Sequence, residues 1–191
     1  MSPHAPPLRG SLPPEGTDPA WGGLAPDPGM TSALNERDGI YLRQAIGWAR
    51  VARERGNRPF GAVVVSDDGR VLAEAWCNTS ETGDCTGHAE TNAVRQISPV
   101  VDRETLSRST LYSSAEPCVM CAGAIFWSNI GRVVYGIDAV RLRVFRGERA
   151  EQRDAELSCR DVFHTSPHAI ECIGPAMVDE ASEPHRGFWQ A

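Results

Sequence analysis

His88-Ala89-Glu90 and, some thirty residues on, Pro117-Cys118-Val119-Met120-Cys121 are the two segments that most constrain this chain. One histidine and two cysteines supply three zinc ligands, so a fold that uses them has to bring both segments to one ion. Cys118 and Cys121 stand at i and i+3 and share a face on a helix. Pro117 suits the first turn of that helix, and the partial positive charge at a helix N-terminus favours thiolates. Three ligands leave a tetrahedral zinc one position short, the position at which a water is activated. Glu90, two residues after the histidine, supplies an acid/base group that need not touch the metal.

A lone C-x-x-C also serves in redox pairs and in structural zinc sites, and a lone histidine is more often no ligand at all. The redox alternative gives no part to a His-x-Glu segment upstream. A structural site needs a fourth ligand, and His164, His168, Cys85 and Cys159 are not spaced for it. A single glutamate at a helix start ordinarily complements the helix dipole; beside three ligands, Glu90 reads as a proton carrier.

The periodicity around these segments predicts an α/β domain. Asn35 or Asp38 offers an N-cap, Ile40, Ala45, Ile46, Ala49 and Ala52 recur at helical spacing, and Gly56 stops the helix. Phe60 to Val65 and Val71 to Trp76 read as strands joined at Asp67-Asp68-Gly69. After a loop from Asn78 to Gly87, a helix is expected from His88 to about Ile97, then a strand at Leu111-Tyr112. A helix from Pro117 to about Trp127, a strand from Arg132 to Ile137, a helical stretch from Asp138 to about Arg146 and a strand from Ala169 to Ile173 complete the order. That order predicts a layered α/β fold whose opening hairpin makes the sheet mixed.

Eight of the fourteen prolines fall in the first 28 residues, among Gly, Ser and Asp, so residues 1–34 are expected to be a disordered tail, with Trp21 and Leu24 as its few apolar anchors. The folded domain is expected over residues 35–175, and residues 176–191 read as a C-terminal tail. The net charge of -6 and pI of about 5.4 provide no global basic field of the kind a dedicated nucleic-acid binder carries. No apolar run reaches transmembrane length and the N-terminus shows no secretory h-region. A cytoplasmic protein with reduced thiols is expected, in which Cys77, Cys85, Cys159 and Cys172 are plain small apolar residues.

The chain resembles the cytidine deaminase-like superfamily, whose signature pairs H-x-E with P-C-x-x-C. Arg58-Pro59-Phe60-Gly61-Ala62-Val63-Val64-Val65 resembles the first strand of its guanine, cytosine and tRNA adenosine deaminases. Thr86-Gly87-His88-Ala89-Glu90, the stretch from Leu111 to Ile125, and Gly131-Arg132-Val133-Val134-Tyr135-Gly136 resemble its later motifs. The resemblance implies a three-layer α/β/α fold with a five-stranded mixed sheet, a zinc ion held by His88, Cys118 and Cys121, Glu90 as the proton shuttle of a hydrolytic deamination, and a homodimer. It also implies that Asn78 hydrogen-bonds the substrate ring, although it stands ten residues before His88, one fewer than in relatives, so that the loop is expected to be re-shaped. Phe60 would line the pocket, the Ala89 N–H would donate to a substrate carbonyl, Ser114 or Ala115 would accept from the leaving amine through a backbone carbonyl, and Glu116 would be structural.

Substrate choice lies outside the zinc motif. Ile125-Phe126-Trp127 resembles the guanine deaminases, with Trp127 either at the pocket or buried between helix and sheet. Cys118 to Ala124 and Ile130 to Val134 look more like the tRNA adenosine deaminases. The basic C-terminal helix of those tRNA enzymes has no counterpart: residues 176–191 carry one arginine against Asp179, Glu180 and Glu183, which repels phosphate. Phe188 and Trp189 are expected to form a lid over a free base. The expectation is a small nucleobase or nucleoside as substrate, guanine ahead of cytosine, with tRNA adenosine as the alternative and a catalytically silent partner subunit as a third.

Overall fold

The computed structural model describes residues 34–147, 157–165, 168 and 170–189. The expected disordered tail, with Trp21 and Leu24, lies outside the described residues.

The first helix, α1 (Glu36–Glu54), begins with a reciprocal cap. Asn35 accepts from the Asp38 amide at 2.8 Å and the Asp38 carboxylate accepts from the Asn35 amide at 3.0 Å. The two alternative caps read from sequence are therefore partners in one capping box, satisfying two N–H groups the helix itself cannot pair. Strands β1 (Gly61–Val65) and β2 (Val71–Trp76) form the expected hairpin. A short helix α2 (Thr79–Thr82) then interrupts what reads in sequence as loop. Next come α3 (Ala89–Ile97), a short α4 (Arg103–Ser107), β3 (Thr110–Ala115), α5 (Val119–Ser128), β4 (Arg132–Ile137) and α6 (Ala139–Arg146). Last are α7 (Cys159–Phe163), β5 (Glu171–Ile173), α8 (Val178–Ser182) and a 3-10 turn at Glu183–His185.

The sheet runs in the order β2-β1-β3-β4-β5. β1 is antiparallel to both neighbours, whereas β3, β4 and β5 are parallel. Parallel neighbours need crossover connections, and α5 supplies the one between β3 and β4. Two apolar clusters lie on the two faces. One joins Ala93, Ile97, Ala122, Ile125 and Phe163 from the α3, α5 and α7 layer to Val64, Leu111 and Val133. The other joins Leu42, Ala45 and Ile46 of α1 and Ala181 of α8 to Val63, Tyr112 and Val134. Alternation of neighbours such as Val63 and Val64 between faces is the two-residue period of a strand, and burial of both faces explains why β1 reads as a continuous apolar run. At Gly61 a Cβ would collide with the Ala45 carbonyl of α1, so glycine there permits the close approach of helix to sheet.

Residues 176–189 depart from a free tail. α8 packs on α1 and β4, and Ala181, Pro184 and His185 are buried. Arg53 of α1 donates to the carbonyls of Pro184 (2.9 Å) and Arg186 (2.8 Å), bonds that sequence periodicity has no means of indicating. Cys85, expected as an apolar filler, is exposed; Cys77 and Cys159 are buried, and Cys159 and Cys172 stand 3.7 Å apart at sulfur. His164 and His168 are exposed, as expected of surface residues. Among the described residues no helix is long and apolar enough to cross a membrane.

One ionic cluster ties α1 to the sheet. Asp38 is fully buried and takes a bidentate pair from Arg132 of β4 (2.6 and 2.9 Å) and a bond from the Tyr112 hydroxyl of β3 (2.9 Å). Burial raises the Asp38 pKa, but the bonds from Arg132, the Asn35 amide and Tyr112 outweigh it and leave the carboxyl below its usual value. A depressed folded pKa adds stability above the unfolded carboxylate pKa, and that contribution disappears as pH falls through the folded one. Asp38→Ala should therefore cost about 3 kcal/mol in denaturant unfolding near neutral pH, because it leaves the Arg132 guanidinium with only its Glu171 contact (2.8 Å) and removes the partner of its other two nitrogens, and the gap from wild type should narrow below about pH 4.

Candidate metal centre and active site

The N-termini of α3 and α5 converge. His88 is the N-cap of α3 and Cys118 the N-cap of α5, both in extended backbone, so their side chains project from the starts of the two helices. Cys121 lies one turn into α5 and is buried. The Nδ1 of His88 is 3.5 Å from the sulfurs of both Cys118 and Cys121, and the two sulfurs are 3.6 Å apart. A tetrahedral zinc with ordinary bond lengths has edges of about 3.8 Å between sulfurs and about 3.6 Å between sulfur and imidazole nitrogen. The observed triangle has those dimensions, and Nδ1 is the nitrogen that faces the sulfurs.

The electrostatics favour a thiolate at Cys118. A hydrogen bond from Cys121, aided by His88, pulls the Cys118 thiol far below its usual range despite burial. Cys121 is raised by sharing that proton with Cys118 and by burial. Thr91, on the first turn of α3, lies 3.3 Å from the Cys121 sulfur through its hydroxyl. Among the described residues, His88, Cys118 and Cys121 are the only such group of three metal-binding side chains.

Glu90 follows on the same turn of α3 and is 4% exposed. It accepts from the Ser113 hydroxyl of β3 at 2.9 Å. Burial, then the negative charge of Cys118, raises its pKa above that of an ordinary glutamate. A carboxyl in that setting exchanges protons more readily near neutral pH than a solvated one.

The other sequence-predicted residues fall into three places. The buried Ala89 sits in the first turn of α3, where a backbone N–H has no partner within the helix. Ser114 and Ala115 are buried at the end of β3; Ser114 Oγ accepts from the Gly61 amide at 3.0 Å, which pins the start of β1 to β3. Phe60 lies between the two apolar clusters, its ring 5.3 Å from that of His185 and 6.2 Å from that of Trp189. Trp189 stacks on His185 at 6.0 Å, while Phe188 turns towards the Arg53 guanidinium. Asn78 caps α2 and meets Asn92 of α3 at 3.0 Å. Trp127 stands apart: it is 78% exposed on α5 and packs edge-on against Phe126. It is therefore not buried between helix and sheet, because the buried stripe of α5 runs through Cys121, Ala122, Ile125 and Ser128.

Glu116 has the structural part expected of it. Its carboxylate accepts from Ser158 Oγ (2.6 Å) and from the Ala139 amide (3.1 Å), tying the entry of α5 to the starts of α7 and α6. Sequence reasoning missed Ser113, Thr91, Asn92 and His185. A serine in a strand, and a threonine and an asparagine in a helix, carry no local signal of what they face across the fold.

This donor set on a mixed five-stranded α/β/α sheet is one suited to a zinc ion. The family model for the cytidine and deoxycytidylate deaminase zinc-binding region matches residues 35–137, and the chain belongs to that family. It is 41% identical over 159 residues to a probable cytosine deaminase of Schizosaccharomyces pombe (83% of this chain, 96% of that protein). It is 40% identical over 156 residues to the tRNA-specific adenosine deaminase of Haemophilus influenzae (82% of this chain, 85% of that protein). Its fold matches that of a guanine deaminase from Nitrosomonas europaea with a TM-score of 0.66 at 20% identity, covering 83% of this chain and 87% of that one.

The purified protein should contain one zinc per chain by elemental analysis. His88→Ala and Cys121→Ser should each bind it at least about tenfold more weakly. Stripping the zinc with a chelator should make Cys118 more reactive towards an alkylating agent.

Proposed function

We propose that this protein hydrolyses the exocyclic amine of a free nucleobase, with cytosine ahead of guanine, to a carbonyl and ammonia. The observation that carries the free-base reading is the C-terminal segment laid against Phe60, with Trp189 and His185 forming an aromatic cluster around that ring. A small base can be enclosed by such a segment, whereas a nucleotide fixed in an RNA cannot. The same segment carries Asp179, Glu180 and Glu183, which repel a phosphate backbone. Cytosine stands ahead of guanine for two reasons. The S. pombe relative, matched over nearly its whole length, is a probable cytosine deaminase. The tryptophan that resembles the guanine deaminases, Trp127, is exposed on α5.

His88, Cys118 and Cys121 would hold the zinc, which when bound supplies a Lewis acid that activates water near neutral pH. The chain's own part is proton movement and positioning. Glu90, held by Ser113, receives a proton from the attacking water and delivers it to the ring nitrogen beside the amine-bearing carbon, then takes the remaining proton from the added hydroxyl and passes it to the departing amine. Water adds, ammonia leaves, and the carbon becomes a carbonyl. The Ala89 N–H donates to a substrate carbonyl, the backbone carbonyl of Ser114 or Ala115 accepts from the amine, and Asn78 hydrogen-bonds the ring.

Ammonia release should be measured on cytosine, guanine, adenine, their nucleosides and a tRNA anticodon stem-loop. Turnover of a free base is expected; turnover of the stem-loop alone would overturn this reading. Glu90→Gln should keep its zinc and lose about 10²–10⁴-fold in kcat. Because the 3-10 turn is built into the fold, the lid is best probed by Trp189→Ala. It should raise KM for the base by about tenfold through lost apolar enclosure, and an unchanged KM would remove Trp189 from the site.

A further inference from the structure

Asn78 is fixed on every side except one. Its backbone N–H donates to the Gly87 carbonyl at 2.9 Å, and its own carbonyl accepts from the Thr82 amide (3.1 Å) and hydroxyl (2.9 Å). Its side-chain Oδ1 accepts from Asn92 Nδ2 at 3.0 Å. Gly87 approaches so closely that a Cβ there would collide with that Oδ1. Among the described residues no hydrogen bond uses the Asn78 Nδ2.

The direction of the Asn78 amide follows from Asn92. The Asn92 Nδ2 also donates to two backbone carbonyls, Trp76 at 3.0 Å and, at longer range, Gly87 at 3.4 Å. Backbone carbonyls only accept, so the Asn92 amide is oriented with its NH₂ towards them. The atom of Asn78 that meets this NH₂ must then be its oxygen, which leaves the Asn78 NH₂ as the free end. The far end of Asn92 is held as well: its Oδ1 lies 3.5 Å from Arg95, which in turn bonds Thr86 at 2.6 Å.

We propose that Asn92 is a positioning residue for substrate recognition: it locks the Asn78 carboxamide so that it offers a donor, never an acceptor, to the base. The inference rests on Asn78 touching the substrate ring, as proposed above. It makes the site selective for a base with a carbonyl oxygen or an unprotonated ring nitrogen opposite Asn78, and it disfavours one with an N–H there, because two donors would be left facing each other. Four positions after the zinc-binding histidine, Asn92 is one helical turn from His88 and so faces the loop that carries Asn78.

The test is kinetic, on the full chain loaded with zinc and on the base it turns over. Asn92→Asp keeps the shape but replaces the donor with an oxygen, so Asn78 has to turn its NH₂ inward. KM should rise by about tenfold or more, the worth of one hydrogen bond exchanged for a repulsive pair, with kcat changed less and zinc content unchanged, all read well below a thermal midpoint that falls because the Trp76 and Gly87 carbonyls lose their donor. Asn92→Ser, which removes the lock without inverting it, should fall between wild type and Asn92→Asp. Asn78→Ala should also raise KM, and the double variant Asn78→Ala/Asn92→Asp should be no worse than Asn78→Ala alone, because Asn92 acts only through Asn78.

A wild-type KM for Asn92→Asp, or effects of the two substitutions that multiply, would overturn the positioning role while leaving Asn78 in the site. Wild-type kinetics for Asn78→Ala would instead overturn the assignment of Asn78 itself, and the inference with it. Turnover of no free base would overturn both together with the proposed function.

Discussion

The meeting of two helix N-termini at one point is the constraint on which the rest of this structure depends. His88 and Cys118 are both N-caps, and the three ligand atoms come within the edges of a small tetrahedron only if α3 and α5 start side by side. Parallel pairing of β3 with β4 sends α5 across one face of the sheet, where it packs against α3. The partial positive charge of both helix ends converges on the same place, which favours the thiolates and supports anionic chemistry nearby. Glu90 is held by the same device: in the first turn of α3 its side chain meets β3, where the Ser113 hydroxyl donates to it.

The opposite face of the sheet provides rigidity. Asp38 joins the start of α1 to β3 through Tyr112 and to β4 through Arg132, the two parallel strands that bracket α5. A buried ion pair of this kind adds little net stability over an apolar packing, but breaking half of it is costly, so it specifies one register of helix on sheet. α8 and the following turn are drawn onto that face too, and through Phe60 and Trp189 the far end of the chain reaches the first strand. Phe60 contacts both apolar clusters, which places it at the rim where the two faces of the sheet meet.

Local patterns carried much of this. The capping box of α1, the hairpin at Asp67-Asp68-Gly69 and the burial of β1 on both faces are written in short stretches of sequence, because caps, turns and strand periodicity are set by neighbours a few residues away. α2 and α7 are four- and five-residue helices that show no full period in sequence; α7 is held by the Ser158 capping box, and both depend on tertiary bonds such as Ser80 and Glu81 to Asn57 or Ser158 to Glu116. Trp127 shows the limit in the other direction. Its apolar side chain argues for burial or a pocket, yet its rotation on α5 leaves it in solvent.

The metal donor set is legible in the chain alone: a histidine and two cysteines at fixed spacing offer three ligands to one ion, because ligand type and helical spacing are local properties. How those groups are aimed depends on contacts between distant parts of the chain. Ser113 lies 23 residues from Glu90 and Asn92 lies 14 from Asn78, and His185 and Trp189 reach Phe60 from the opposite end of the chain. Such pairs depend on which faces of helix and sheet are pressed together, and burial of apolar surface settles that for the whole domain at once.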